Sequence, residues 1–91
     1  MTRYSANPST LTRSVGGSTV LYLYANDDSV VINAIGRAIW DAIDASPGPI
    51  GLDDLTVYLA TAFSAEPHQI RGQVADFTEG LAGRGFLSRA E

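Results

Sequence analysis

The sequence predicts an α+β domain, a three-stranded antiparallel sheet followed by three α-helices. Two observations carry this. The first part of the chain is strand-like, rich in β-branched and aromatic residues, and from Asn33 the apolar period lengthens to that of a helix. Turn and breaker residues then punctuate the chain where the elements end.

Leu11 to Val15 predicts a short first strand, and Gly16-Gly17 supplies the positive φ angles of a tight reversal. Thr19-Val20-Leu21-Tyr22-Leu23-Tyr24 is the strongest strand signal. Asn26-Asp27-Asp28 predicts a turn through side chains that bond their own backbone, and Ser29-Val30-Val31-Ile32 follows as the third strand. Paired in chain order, these strands leave the third as an edge whose outward amides and carbonyls lack partners. Met1 to Thr12 reads as polar and turn-like, with Asn7-Pro8-Ser9.

Ile35, Ile39 and Ile43, with Trp40 beside them, predict the buried face of a first helix capped by Asn33. Ser46-Pro47-Gly48-Pro49 ends it. A second helix begins at about Leu52, with Asp53 and Asp54 at its positive dipole end and Leu52, Leu55, Leu59 and Phe63 as its apolar stripe. Glu66-Pro67 opens the third, with Gln69 placed to bond back. Its core face is predicted as Ile70, Val74, Phe77 and Leu81; Gly83 or Gly85 stops it, and Phe86-Leu87 fold back.

The size and charge set the bounds. Residues 1–91 fit one small domain, since typical domains run to about 100 to 150 residues. Apolar runs of only a few residues, against the ~20 that span a bilayer, predict no membrane segment, and the polar start argues against export, which places the chain in the cytoplasm. With no cysteine, disulfides, thiolate metal sites and cysteine nucleophiles are excluded. Six arginines against ten carboxylates give a net charge of −4, which opposes phosphate-driven binding to nucleic acid.

The available chemistry is sparse. His68 stands alone in the first turn of the third helix, with no serine, cysteine or carboxylate at a motif spacing. One histidine without cysteine or a clustered Asp-x-Asp loop cannot fill a metal's coordination shell, and no cofactor is expected. The adjacent pairs Asp27-Asp28 and Asp53-Asp54 point apart, which disfavours paired acid and base work. Gly72 and Gly80 share a stripe with Asp76 away from the core face, where another chain can approach closely, although tolerated weakness explains them too. Two function classes remain. A winged helix-turn-helix can bind DNA through its third helix, where Gln69, Arg71 and Gln73 are suitable residue types, but Glu66, Asp76 and Glu79 oppose it. The alternative is peptide recognition by strand addition at the third strand, beside the third helix.

Gly16-Gly17, Val20-Leu21-Tyr22-Leu23 and Val30-Val31-Ile32-Asn33-Ala34-Ile35-Gly36-Arg37-Ala38-Ile39-Trp40-Asp41 resemble the LNxTGxxIW signature of PqqD-like proteins, the leader-recognition elements of ribosomal peptide biosynthesis. Leu52-Asp53-Asp54-Leu55 with Leu59 and Phe63, and Val74-Ala75-Asp76-Phe77 through Leu81, Gly85, Phe86 and Leu87, are similar to that family's second and closing helices. Departures include Ile32 where leucine is usual, Gly51 at the expected threonine cap and Thr78 where leucine is common. The resemblance implies a winged helix-turn-helix fold and a free-standing, non-catalytic RiPP recognition element. Such a protein binds a precursor's leader peptide as a fourth strand and presents it to a separate maturation enzyme. The lasso peptide pathway, with a leader peptidase and a cyclase, comes first; the pyrroloquinoline quinone pathway, with a radical enzyme, is the alternative.

On this reading the peptide pairs with Val30, Val31 and Ile32. Helical geometry names the row Arg71, Ala75, Thr78 and Ala82 as the groove wall, with Val74 contributing from the core side. The opposite flank of Gln69, Gln73 and Arg84 is the weaker candidate.

Overall fold

The computed structural model describes residues 2–90. Strands β2 (Thr10–Val15), β3 (Ser18–Leu23) and β4 (Asp28–Ile32) form an antiparallel meander in the order β2-β3-β4, so β4 is an edge. Gly16 and Gly17 carry positive φ at the β2–β3 reversal. The predicted Asn26-Asp27-Asp28 turn is a 3-10 turn over Tyr24–Asn26 ending on Asp27, whose φ is 49°. The alternation of β3 buries Leu21 and Leu23 completely, each such leucine contributing about 1.5 to 3 kcal/mol.

Helices α1 (Ala34–Ala45), α2 (Leu52–Ala62) and α3 (Pro67–Gly83) follow. The Asn33 side chain accepts from the Gly36 amide at 2.8 Å, capping α1, and the Glu66 amide donates to Gln69 Oε1 at 3.1 Å, opening α3. Trp40, Ile39 and Ile43 are buried with Leu55, Leu59, Val74, Leu81 and Phe86 in one core. Ile35 and Phe63 depart from their predicted stripes: they are 46% and 48% exposed, at the mouth of a cleft between the helices.

A second sheet was not legible in the sequence. Arg3–Ala6 (β1) lies between Ile50–Gly51 (β5) and Leu87–Ala90 (β6), antiparallel to both. The polar N-terminal segment is therefore partly strand; of that segment, Met1 lies outside the described residues. The ends are held by side chains as well: Tyr4 is buried and its hydroxyl donates to Glu79 of α3, which Arg89 of β6 also holds at 3.1 Å. Burial, and then the bond to Glu79, pushes the Tyr4 phenol above its ordinary pKa; the bonds from Tyr4 and Arg89 lower that of Glu79. No helix among the described residues is long and apolar enough to cross a membrane.

Candidate peptide-binding groove

The free edge of β4 faces α3 across a groove of about 320 Å³. Val30, Val31, Ile32 and Asn33 form one wall, and Asp76, Phe77, Gly80, Leu81 and Arg84 the other. Arg84 closes one end: its guanidinium donates to both carboxylate oxygens of Asp28, at 2.8 and 3.1 Å, and to the Ser29 carbonyl at 2.9 Å. Its carbon Cζ lies 5.5 Å from the centre of the Phe86 ring, a cation–π arrangement. The Arg84 hydrogen bonds hold Asp28 below its ordinary carboxylate pKa.

The Ser29 contact fixes the parity of the edge. A carbonyl that reaches α3 points away from β3, and in an antiparallel ladder a residue's amide and carbonyl share one side and alternate along the strand. Val31 therefore presents its amide and carbonyl outward with Ser29, whereas Val30 and Ile32 are turned to β3, opposite Leu21 and Thr19. Val31 is 65% exposed, Val30 half-buried and Ile32 buried.

The groove wall on α3 differs from the expected row. Arg71 pairs with Asp53 of α2, Ala75 is half-buried, and Thr78 is fully buried with its hydroxyl donating to the Val74 carbonyl at 2.9 Å. Val74 is buried and lines the apolar cleft of about 170 Å³ between the three helices, with Ile35, Ile39 and Ile70. None of these four residues lines the β4 groove. The physical reason is the second sheet. It packs with α2 against the flank that the expected row occupies, so the buried centre of α3 is Val74, Thr78 and Leu81, rotated toward Thr78. Phe77, Arg84, Gly80 and Asp76 are left facing β4. The signal that pointed there was the Gly72–Asp76–Gly80 stripe: a Cβ built on Gly80 meets nothing within 4 Å, so the backbone of α3 is open to an approaching chain.

Acid–base groups do not converge. Asp27 accepts from the Tyr22 hydroxyl while its neighbour Asp28 holds Arg84, and Asp53 holds Arg71 while Asp54 is exposed. His68 is exposed at the start of α3. Among the described residues no group of three His, Cys, Asp or Glu side chains could hold a metal ion.

Comparison with solved structures gives the same architecture. A structure described as TbiB1 in complex with the TbiA(beta) leader peptide aligns over 92% of this chain and 94% of its own, with a TM-score of 0.75 at 14% identity. Another, lasso peptide synthetase B1 complexed with the leader peptide, aligns over 93% and 96%, with a TM-score of 0.67 at 13% identity. At such identities the likeness establishes the fold, a winged helix-turn-helix of the α+β class. No curated protein sequence matches significantly. The family described as Coenzyme PQQ synthesis protein D matches residues 19–87, from the second residue of β3 through all three helices to the first residue of β6. With the edge strand, the Asn33 cap, Gly36 and Trp40 all inside that span, the chain belongs to the PqqD family.

Proposed function

We propose that this protein is a non-catalytic recognition element that binds the leader segment of a ribosomally made precursor peptide and hands it to a separate maturation enzyme. The leader adds as a strand to the outer edge of β4, over the groove beneath α3. The observation that carries this is the open β4 edge: Val31 turns an unpaired amide and carbonyl toward a groove with Phe77 and Leu81 on its far wall. Family membership and the leader-bound state of the two structural neighbours support the same partner. Those neighbours favour the lasso peptide pathway, with a leader peptidase or cyclase as the receiving enzyme, over a radical enzyme.

Isothermal titration against synthetic leader peptides, one per candidate pathway, tests the reading. One member should bind 1:1 in the nanomolar to low-micromolar range, about −8 to −12 kcal/mol. Gly80→Leu, which attaches its side chain at a position where a Cβ has open space and directs bulk into the groove, should abolish that binding while the circular dichroism spectrum is unchanged. Binding to no leader, with tight and salt-sensitive binding to duplex DNA instead, would replace this function with that of a regulator.

A further inference from the structure

We propose that Asp76 reads a basic side chain of the bound peptide, so that the segment taken by the groove carries a lysine or arginine on the side facing α3. This rests on strand addition at β4. Two charged side chains line the groove, Arg84 and Asp76, and the first is neutralised by Asp28, which it engages through two hydrogen bonds. Asp76 is exposed on the α3 wall and has no hydrogen bond or ion pair among the described residues. The groove therefore keeps one unbalanced negative charge. Arg37, Arg71 and Arg89 are paired elsewhere, with Asp41, Asp53 and Glu79.

The path to that charge is also open. Gly80 lies one turn beyond Asp76 on the same wall, and the space where its side chain would stand is empty. A strand added to β4 runs about 4.8 Å from it and turns alternate side chains toward α3. A lysine or arginine there can lay its methylene stem along Phe77 and over Gly80 while its charged head reaches the Asp76 carboxylate. Glutamate or aspartate at the same place meets a like charge, and the chain's net charge of −4 favours a basic segment at longer range as well.

Fluorescence anisotropy tests this, using the leader that titrates tightest in the panel above, labelled and substituted at each position in turn by lysine, norleucine or glutamate. At one position lysine should bind about three- to ten-fold tighter than norleucine, with glutamate weakest. Asp76→Asn should flatten that ranking and Asp76→Arg should invert it. Asp44→Asn, which removes an exposed carboxylate from α1, should leave the ranking in place and so separate contact from long-range attraction. Lysine no better than norleucine at every position, or a preference that survives Asp76→Asn, would overturn the assignment to Asp76 while strand addition stands. Failure of every leader to bind would remove both.

Discussion

Gly36 shows how one missing side chain sets the spacing of three elements. A Cβ at this position would lie 2.7 Å from Phe77 Cε2, 3.2 Å from Ile32 Cβ and 3.3 Å from the capping oxygen of Asn33. The glycine thus lets α1 approach the junction of β4 and α3, where the groove begins. Gly36→Ala must move Phe77 or the Asn33 cap, and overpacking of this kind costs about 1 to 3 kcal/mol. Urea denaturation should show that loss, and leader affinity should fall with it because Phe77 lines the groove. An alanine variant as stable as the parent would mean the helix can shift without penalty. The glycine itself was legible as part of the family pattern, but its contact with Phe77, 41 positions further along, was not.

Among the elements, β4 carries the sharpest contrast. Proline removes a backbone donor, so its effect depends on where that donor points. At Val31 the amide faces outward and the side chain is exposed, so Val31→Pro should leave the fold intact and weaken leader binding. At Ile32 the amide belongs to the ladder with β3 and the side chain is in the core, so Ile32→Pro should cost about 2 to 5 kcal/mol in stability. Thermal melts and titrations on the pair check both. Wild-type affinity in a folded Val31→Pro variant would show that the edge is not used. Alternation in the sequence predicted that only one of the two amides faces out; the Arg84 bond to Ser29 identifies it as Val31.

Over the whole molecule, charged side chains join the parts that the chain connects only at a distance. Arg84 ties the end of α3 to β4 through Asp28, and Glu79 ties α3 to β1 through Tyr4 and to β6 through Arg89. Asp28 and Glu79 have folded-state pKa values below their ordinary ones, so their contribution is complete above the ordinary carboxylate range, about pH 4 to 4.5, and is lost as the pH falls through the lowered values. The Tyr4 phenol is raised, so its contribution is complete below about pH 10 and is lost as the pH rises through the raised value. The thermal midpoint should therefore fall at both extremes and be flat between about pH 5 and 9. Asp28→Asn with Glu79→Gln should flatten the acid limb; an acid limb of unchanged steepness would assign it to other carboxylates.

What the sequence determined by itself is local. The strands from Thr10 to Ile32, the helix starts at Asn33 and Glu66-Pro67, and the edge position of β4 follow from alternation, capping and turn chemistry within a few residues. The family follows from the order of those same features. Tertiary structure alone decided which flank of α3 lines the groove. Arg3–Ala6 has too little apolar alternation to announce a strand; it becomes one by pairing with Leu87–Ala90, more than 80 residues later. That sheet packs on α3 through β6, with Tyr4 and Arg89 bonded to Glu79 beside the buried Thr78, and Phe77, Gly80 and Asp76 are left to line the groove at β4. A helix's amphipathic pattern fixes which stripe is buried only to within its two flanks, and the neighbours that choose between them here come from the opposite ends of the chain.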